Sequence, residues 1–496
     1  MPKTEIKGRD IEGGPLHLMV EDGLITAVDR SGNPGTATLL PAMVDAHCHI
    51  LPTGIDMAKP SLAECTSHAE VLDIVGTAAR SGEGWLHITH YDQNRFSGQG
   101  HLDRWKLDQV SQGRPVLLRH SNGHAGVANS AALEAALIRE DVKNPPGGEF
   151  VRGSDSRLTG VLLERASEFV TSAMPVPGLD QMVEAVSRAL DSMAALGIAS
   201  ATDMMTGRWD LEREVAAYAK AAARPGSTRA RLFVQWSEVF GARGVGAGRL
   251  SEIAKATDTD RCKVCGIKIF ADGAIASATA AIHGEYLTTP SSGTLMYDPE
   301  RLKSMVVTAH DAGWPVAVHA IGDRAVDLVL DAFEATNEPS RHRLEHAMML
   351  SDAQIERIHK AGCHVTMQPE FLVRFGQAYA AQLGPERARS LKRVKSLLDA
   401  GIPMSLSSDR PIVPGDPWDG ILAASQRPPG FDPDENVTLT EAMRLYSTGG
   451  AEANGDAKRS GRLAPGMWAD VLAYADEPGK GRPHELWIGG VSAASA

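Results

Sequence analysis

The 496-residue sequence has few cysteines and no long apolar run. Its five cysteines, at positions 48, 65, 262, 265 and 363, are scattered and odd in number. Such a set does not form a disulfide framework and is typical of thiols in a reducing compartment. The first ten residues lack the apolar core of a signal peptide, and no stretch stays apolar for long enough to cross a bilayer. The sequence therefore predicts a soluble, cytoplasmic protein that does not insert into a membrane.

An excess of basic residues is also absent. The chain has 50 Lys and Arg residues against 62 Asp and Glu residues, a formal net charge of −12, and no basic run. We therefore expect no nucleic-acid partner. The 43% hydrophobic and 5% aromatic content is ordinary for a globular protein, and the length fits a barrel-sized domain with one or two smaller units. A small molecule is the expected substrate, and a homodimer is compatible with this composition.

Two histidines one residue apart end an apolar segment near the amino terminus. His47 and His49 follow Met43-Val-Asp-Ala46, and side chains alternate between the two faces of a strand. The two imidazoles therefore point to one side, while Cys48 points to the other. The apolar neighbours predict a buried strand, in which two unpaired imidazoles would be costly. We interpret the pair as metal ligands, and the alternative is a histidine pair on the surface.

Both ends of the chain contain short β segments separated by turn signals. Residues 1–38 show alternating segments broken by glycine-rich turns. Residues 456–496 contain the strand-like segments 469–474 and 485–491. Neither piece is large enough to be stable alone. We expect the two pieces to pair into one composite β-sandwich beside the central domain.

Eight strand candidates between these ends alternate with helical patterns. The strands fall at 39–46, 198–202, 231–236, 264–270, 315–319, 341–346, 363–368 and 402–407. The helical patterns fall at 182–196, 300–313, 324–336, 352–361 and 386–400. This alternation is typical of an α/β protein with a (β/α)₈ TIM-type barrel. We assign residues 39–54 to the first barrel strand and residues 176–455 to the remainder of the barrel.

The first two barrel strands are too far apart in the sequence for a simple βα unit. About 150 residues separate them, whereas such a unit needs roughly 30. Residues 55–175 are therefore predicted to be an inserted α+β subdomain. Its strands are expected at 85–89 and 115–119, and its helices at 66–80 and 129–138. An insertion after the first strand should lie over the catalytic face and shape the pocket.

Polar side chains stand at the ends of four further strands. Lys268 alternates with isoleucines and so points into the barrel, where a lone ammonium is costly. It is either paired with a carboxylate or carboxylated by CO₂, so that the carbamate bridges two metal ions. His319, His346 and Asp409 end other strands, and each by itself could be a core residue or a helix cap. Together with the histidine pair they predict a centre of ligands that suit zinc and similar divalent ions.

Seven motifs along the chain form a set. They are Asp45-Ala-His-Cys-His49, Ile267-Lys-Ile-Phe-Ala-Asp-Gly273, His319-Ala-Ile-Gly-Asp-Arg324, Arg343-Leu-Glu-His346, Met367-Gln-Pro369, Ser407-Ser-Asp409 and Gly461-Arg-Leu-Ala-Pro-Gly-Met-Trp-Ala-Asp470. The insertion adds Gly84-Trp85, Gly123-His124 and Asn129-Ser-Ala-Ala-Leu133. This set resembles the metal-dependent amidohydrolase superfamily, and most closely the branch that includes N-substituted formamide deformylases (amidohydrolase family 3).

The resemblance implies a barrel, a composite β-sandwich, an inserted α+β unit and a metal centre that hydrolyses C–N bonds. The implied ligands are His47, His49, Lys268, His319, His346 and Asp409. One or two divalent ions, expected to be zinc, would lower the pKa of a bound water so that hydroxide attacks the polarised carbonyl of the substrate. Asp409 would take the proton of the attacking water and pass it to the departing nitrogen.

Further residues are expected around this centre. Asp323 and Glu345 are predicted to orient the histidines or to form salt bridges. His124, on the insertion, is predicted to reach the substrate, and the alternative is a histidine that caps the helix at Asn129. Asp272 is expected in the turn after the fourth strand, where it would contact the substrate.

Three positions depart from the pattern of that branch. Ala278 stands where an arginine is common, and Glu370 and Arg410 stand where smaller residues are usual. We expect Glu370 and Arg410 to line the substrate site, either as an ion pair with each other or in contact with a charged substrate. Because these positions shape the pocket, the substrate of formamide deformylases does not transfer to this chain.

The leading hypothesis is a metal-dependent hydrolase of a non-peptide C–N bond, of the amide or N-formyl type. An alternative in the same fold is a mononuclear deaminase or cyclic-amide hydrolase in which Lys268 is not carboxylated. An alternative from a different class is a metal-stabilised binding protein without catalytic activity.

Overall fold

The fold is described from a computed structural model for residues 3–96, 98, 100–120, 125–145 and 148–493, the side chain of Glu164 excepted. The chain forms two compact units. The larger consists of Met1–Gly54 and Leu179–Ala496, and the smaller of Ile55–Gly178. The insertion predicted from the sequence, 55–175, ends three residues before the carboxyl-terminal boundary of the smaller unit. It stays a prediction.

Twenty strands lie in the described part of the chain. Those of the amino-terminal region are β1 (Thr4–Arg9), β2 (Pro15–Glu21), β3 (Leu24–Asp29), β4 (Thr38–Pro41) and β5 (Met43–Cys48). Those of the smaller unit are β6 (Leu86–Tyr91), β7 (Val116–His120), β8 (Ala125–Ala128), β9 (Gly148–Arg152) and β10 (Leu158–Glu164). The others are β11 (Ile198–Thr206), β12 (Arg229–Gln235), β13 (Cys262–Phe270), β14 (Val316–Ala320), β15 (Arg343–His346), β16 (His364–Met367), β17 (Met404–Leu406), β18 (Val471–Tyr474), β19 (Glu485–Ile488) and β20 (Val491–Ala493).

The helices alternate with these strands. The first five are α1 (Ile50–Met57), α2 (His68–Arg80), α3 (Arg104–Val110), α4 (Ser130–Ala135) and α5 (Arg165–Ser172). The next seven are α6 (Leu179–Ala194), α7 (Leu211–Ala222), α8 (Trp236–Phe240), α9 (Ala247–Thr257), α10 (Pro299–Asp311), α11 (Asp323–Glu334) and α12 (Asp352–Ala361). The last six are α13 (Glu370–Leu383), α14 (Pro385–Arg389), α15 (Val394–Asp399), α16 (Pro417–Ser425), α17 (Leu439–Arg444) and α18 (Gly450–Ala453). Within the described ranges, none of these helices has the length and apolar character needed to cross a membrane.

Eight parallel strands form the central sheet, in the order β5-β11-β12-β13-β14-β15-β16-β17. The segment after the last strand returns to the first, because the Asp409 amide donates to the His47 carbonyl and the His49 amide donates to the Arg410 carbonyl, both at 2.7 Å. Strands covered by helices on the outside are buried along their whole length, as β5 and β15 are. The predicted TIM-type barrel is confirmed.

Local signals explain why some helices match their predicted bounds. Helix α12 begins at a capping box in which Ser351 and Gln354 satisfy each other's backbone amides. It ends at Gly362, whose φ of 64° is readily adopted by glycine. Helix α11 buries Ala325, Val326, Val329, Leu330 and Phe333, which recur on one face at the helical period.

The two ends of the chain share one seven-stranded sheet, ordered β20-β19-β18-β4-β1-β2-β3. Its core includes Leu16, Leu18, Ile25, Val471 and Ala473. The ends therefore pair as expected. The strand predicted at 39–46 is two strands, since β4 pairs with β18 in this sheet whereas β5 belongs to the barrel.

The prediction of one continuous helix at 386–400 was wrong. The chain there forms α14 and α15, and the residues between them include Lys392 in the left-handed region, with φ of 56°. Helix α13, which the sequence did not indicate, precedes them. The break places Lys392 inside the protein instead of on a helix surface.

The smaller unit has its own sheet, ordered β6-β7-β8-β10-β9, and its own core, which includes Val71, Val75, Ile88, Leu118 and Val127. Only β6 and β7 correspond to strands predicted from the sequence. Helix α4 begins at Asn129, whose Oδ1 accepts from the amides of Ala132 and Val116. His124 and its neighbour Gly123 lie outside the described residues.

Candidate metal centre

The carboxyl end of the barrel brings three predicted ligands together. One potential ligand atom from each of His47, His49 and Asp409 lies within 4.8 Å of the others. Asp409 Oδ1 is 2.9 Å from His49 Nε2 and 3.5 Å from His47 Nε2. His47 comes from β5 and Asp409 follows β17, so the group joins the first and last strands of the barrel.

Two further imidazoles extend this group around the barrel. The His346 ring lies 4.8 Å from the His47 ring and 4.5 Å from the His319 ring, measured between centroids. His346 is the last residue of β15, and His319 lies in β14. The four histidines, which come from the ends of three strands, therefore form one continuous cluster.

A buried aspartate, Asp45, holds the loop that carries Asp409. Ser408 donates to Asp45 through its hydroxyl at 2.5 Å and through its amide at 3.1 Å. Burial raises the pKa of Asp45 to about 6, although these hydrogen bonds act to lower it. Asp409 has a φ of 60°, a left-handed conformation that aspartate tolerates better than most residues. The loop thus turns sharply and points the carboxylate of Asp409 at the histidines.

Glu345 fixes the orientation of His47. Its Oε2 lies 2.6 Å from His47 Nδ1, and its Oε1 accepts from Arg343 Nε at 2.9 Å. With the hydrogen on Nδ1, the lone pair of His47 Nε2 faces Asp409. Burial opposes the charge of Glu345, but Arg343 and His47 outweigh it and lower the pKa of the carboxyl group. Burial, and then Lys268, lower the pKa of His47 to about 4, so the ring is neutral at pH 7.

His319 is oriented by the Gly273 carbonyl and lies beside Asp272, whereas Asp323 was predicted to orient the histidines or to form salt bridges. His319 Nε2 lies 3.0 Å from the Gly273 carbonyl and 3.4 Å from Asp272 Oδ1. The Asp272 carboxylate accepts from the amides of Ala281, Ile321 and Gly322, and its predicted contact with a substrate stays a prediction. Asp323 instead begins α11 and accepts from the His283 amide, away from the ligand histidines.

His346 is held by a different group. Its Nδ1 lies 2.8 Å from Gln368 Oε1, and Lys392 Nζ lies 2.9 Å from the same oxygen. Burial, followed by the neighbouring His319, lowers the pKa of His346 well below its ordinary value, so this imidazole is neutral. Neither Gln368 nor Lys392 was given a role from the sequence.

Lys268 is buried without a hydrogen-bonding partner for Nζ in the part of the chain that the structure describes. The ammonium lies 4.9 Å from the centre of the Phe270 ring. Burial lowers the pKa of Lys268 to about 8, although Glu345 and Asp409 act to raise it. The simple ion pair considered from the sequence is not formed, because the described residues include no carboxylate within 4.0 Å of this nitrogen.

Glu370 pairs with Arg374, one turn further along α13, rather than with Arg410. Its side chain is buried, and Oε2 has no hydrogen-bonding partner among the described residues. Burial raises the pKa of Glu370 to about 7, and the ion pair with Arg374 only partly offsets this. Arg410 is half-buried, and its carbonyl bonds to the His49 amide. Whether either residue contacts a substrate stays a prediction.

Replacing Glu370 by glutamine will abolish a loss of stability that the wild type shows as the pH rises. Its pKa rises from 4.5 to about 7 on folding, so between these values the folded protein holds a proton that the unfolded chain has released. Stability of the wild type therefore falls as the pH rises through this window. Glu370→Gln will be more stable than the wild type at pH 8, by about 1–3 kcal/mol. The two proteins will converge near pH 4.5, which thermal melting at both pH values will show.

Glu64→Gln, which changes an exposed carboxylate, serves as the control for that comparison. A constant difference between Glu370→Gln and the wild type at both pH values would contradict the burial argument.

The donors present suit a divalent cation. The cluster offers neutral imidazoles and a carboxylate, which are ligands that zinc and related ions accept. Burial acts to raise the pKa of Asp409, whereas His47, His49 and Lys268 act to lower it and prevail, so the group is ionised. Two buried nitrogens, His49 Nδ1 and Lys268 Nζ, have no hydrogen-bonding partner among the described residues. These residues therefore fit a metal ion and its immediate surroundings.

Residues 36–489 match the sequence model of the Amidohydrolase family, which is most of the chain. The chain belongs to this family. A protein of Bacillus subtilis (strain 168) named as an amidohydrolase, YtcJ, is 30% identical over 505 aligned positions, covering 95% of this chain and 93% of the relative. The N-substituted formamide deformylase of Arthrobacter pascens is 28% identical, covering 89% of this chain and 84% of the enzyme.

A solved structure gives the same result for the fold. The crystal structure of an uncharacterized metal-dependent hydrolase from Pyrococcus furiosus matches with a TM-score of 0.79 and 26% identity. The match covers 94% of this chain and 96% of that chain. The predicted resemblance is thus confirmed, and with it the prediction of an amidohydrolase that acts on C–N bonds other than peptide bonds.

Apart from Glu345, which was predicted to orient the histidines, sequence reasoning missed residues that support the ligands. Gln368 and Arg343 lie within recognised motifs, yet nothing in their spacing says that Gln368 contacts His346 or that Arg343 pairs with Glu345. Lys392 lies between Leu391 and Arg393, and an isolated lysine there carries no periodic signal. A polar residue directly after a buried strand, as Gln368 is, was the one available signal.

Proposed function

We propose that this amidohydrolase is a metal-dependent hydrolase of a non-peptide C–N bond, of the amide or N-formyl type. The observation that carries the proposal is the convergence of His47, His49 and Asp409 at the barrel's carboxyl end. The relative from Arthrobacter pascens, a formamide deformylase, supports this class of bond. At 28% identity it does not carry over its substrate.

We assign the ligands as His47, His49, His319, His346 and Asp409, with Lys268 as a further ligand after carboxylation. When bound, one or two divalent ions, zinc in our proposal, would polarise a carbonyl group and lower the pKa of a water molecule. Glu345 and Gln368 keep the Nε2 atoms of His47 and His346 free of hydrogen. The protein thereby presents lone pairs rather than N–H groups to the centre.

Asp409 is the proposed proton carrier. Its carboxylate is ionised at neutral pH, since His47, His49 and Lys268 lower its pKa. It can accept a proton from the attacking water and return it to the nitrogen that leaves. Its fixed, left-handed backbone keeps the carboxylate in one place during both transfers.

Lys268 is chemically suited to carboxylation. Only the neutral amine reacts with CO₂, and burial lowers the pKa of Lys268 to about 8, which makes that form accessible. The carbamate would replace a buried cation by an anion that can bridge two ions. A mononuclear deaminase or cyclic-amide hydrolase remains the second candidate, in which the lysine stays unmodified.

We retain Glu370 and Arg410 as proposed substrate contacts around this centre, and His124 as a substrate contact that rests on the sequence alone. Glu370 Oε2 has no hydrogen-bonding partner in the part of the chain that the structure describes, which supports a cationic or hydrogen-bond-donating substrate group. We further propose a cytoplasmic protein that acts on a small molecule, since all five cysteines are free thiols. A homodimer is compatible with these proposals.

Removal of the metal will abolish hydrolysis, and zinc will restore it. The protein, treated with a chelator and then reloaded, is to be screened against amides, N-formyl compounds and cyclic amides. We expect activity only in the reloaded sample, together with metal bound at one or two ions per chain. Intact-mass measurement under native conditions will report whether Lys268 carries CO₂.

The double variant His47→Ala/His49→Ala is the matched negative, and it should bind less metal and stay inactive after reloading. If no compound in the screen is hydrolysed although metal is bound, the hydrolase proposal is overturned and a metal-stabilised binding protein is favoured. Release of ammonia from amino-substituted rings alone would favour the deaminase.

A further inference from the structure

Lys392 is a buried lysine without a counter-ion. Its side chain is fully buried, and no carboxylate lies within 4.0 Å of Nζ among the described residues. Nζ contacts the His346 carbonyl at 3.2 Å and Gln368 Oε1 at 2.9 Å, and it lies 5.3 Å from the centre of the Phe371 ring. Burying a lysine in this way is costly, so its placement calls for a compensating role.

The backbone around Lys392 is fixed on both sides. Its amide donates to the Met348 carbonyl at 2.9 Å, and its carbonyl accepts from Arg427 Nη1 at 2.7 Å. The φ of 56° is a left-handed conformation, which lysine rarely adopts. These contacts hold the residue where its side chain reaches Gln368.

The chemistry of lysine decides which way the Gln368 amide faces. The ammonium form of lysine donates hydrogen bonds and accepts none. With Lys392 in this form, the atom of Gln368 that faces it must be the oxygen. The amide nitrogen of Gln368 is then on the other side, where it donates to Ser407 Oγ at 2.9 Å.

The same oxygen lies 2.8 Å from His346 Nδ1. Since the oxygen only accepts hydrogen bonds, His346 must carry its hydrogen on Nδ1 and keep the lone pair of Nε2 free. If Gln368 turned its amide by 180°, its NH₂ group would face Nδ1, and the opposite tautomer would be favoured. That tautomer has a hydrogen on Nε2 and cannot offer this nitrogen to a metal ion.

We propose that Lys392 is a positioning residue, which locks the Gln368 amide and so holds His346 in the tautomer that binds metal. This inference rests on the proposed function, in which His346 is a ligand. Lys392 acts through Gln368 and touches neither metal nor substrate.

The test is metal affinity, measured by competition with a chromogenic chelator on metal-free protein, and by the visible spectrum after loading with Co²⁺. Lys392→Met keeps the length and the apolar part of the side chain but removes the N–H groups that donate hydrogen bonds. We expect Zn²⁺ affinity to fall by about 10- to 100-fold, the usual cost of losing a group that orients a ligand. Lys395→Met changes a nearby half-buried lysine that pairs with Asp399, and this variant should bind Zn²⁺ like the wild type.

A second background separates tautomer control from general damage. Glutamate at position 368 has two oxygens that only accept, so it presents an acceptor to His346 Nδ1 whichever way it turns. Lys392→Met should therefore change Zn²⁺ affinity much less in the Gln368→Glu background than in the wild-type background, where residue 368 is glutamine. Lys392→Arg, which also only donates, should retain most of the wild-type affinity.

Wild-type Zn²⁺ affinity in Lys392→Met would overturn the inference. An equal loss of affinity in both backgrounds would also overturn it. If Lys392→Met does not fold, Lys392→Leu, which also lacks a donor, is compared in the same two backgrounds with the same criteria. His346→Ala tests the proposed centre separately: unchanged affinity there would overturn His346 as a ligand, whereas a loss there without one in Lys392→Met would overturn the Lys392 inference alone.

Discussion

Asp409→Asn will lower kcat/KM by about 10²- to 10⁴-fold, the range that a positioned proton-transfer group contributes. The wild-type carboxylate is buried, ionised, and 2.9 Å from His49 Nε2. Asparagine has nearly the same shape but no charge, so it cannot take a proton from water. It also weakens the attraction for a cation. The measurement is steady-state kinetics on a substrate found in the screen, with metal content determined in parallel.

Asparagine is the suitable replacement because of the backbone at this position. Asp409 has a φ of 60°, and asparagine tolerates left-handed backbone, whereas alanine would add strain. An effect of Asp409→Asn therefore reports the lost charge and not a collapsed loop. Asp399→Asn, an exposed change on α15, is the control and should keep full activity. If Asp409→Asn retained both its metal and its kcat/KM, the role of this carboxylate would be refuted.

The ligand histidines could be predicted from the sequence because parallel strands share one end. His47, His49, His319 and His346 each lie at the carboxyl end of a buried apolar segment, and a barrel brings all such ends to one face. Neither the order of the strands nor a contact between any two of them was needed for this prediction. The only requirement was that every segment be a strand of the same barrel.

The histidine that Glu345 contacts and the partners of Asp45 could not be predicted, since these contacts join segments that are distant in the chain. Glu345 lies 298 residues from His47, and Asp45 lies 363 residues from Ser408. Asp272 and Asp323 are equally polar and both follow barrel strands, yet only Asp272 faces His319. The direction of a side chain at a loop depends on the turn that carries it, and the sequence contained no signal for that turn.

Local propensity failed where long-range packing decides the structure. Residues 386–400 have the composition of one helix, but the chain breaks there and buries Lys392. The predicted strand at 39–46 passes from one sheet to the other at Ala42, because the amides of Ala42 and Met43 bond to Asp470 and Gly197, respectively. In both places the neighbours in space override the preference of the segment itself.

Arg343→Met will destabilise the protein by about 3–5 kcal/mol, the usual cost of leaving one member of a buried ion pair without its partner. Glu345 is completely buried, and Arg343 donates to it at 2.9 Å while also donating to Ala46 and Thr366. Methionine fills part of the space but leaves the carboxylate of Glu345 uncompensated. The measurement is chemical unfolding of metal-free protein at pH 7.

The double variant Arg343→Met/Glu345→Gln separates charge from packing. A neutral amide leaves no buried charge behind, so the double variant should be more stable than Arg343→Met alone. The pH dependence has a definite sign. Arg343 and His47 outweigh burial and lower the pKa of Glu345, so its contribution to stability is present above its unfolded pKa, near 4.5, and is lost as the pH falls through the lower, folded value. The effect of Arg343→Met should therefore be larger at pH 7 than under acid conditions, and an effect that is independent of pH would show that Arg343 acts through packing.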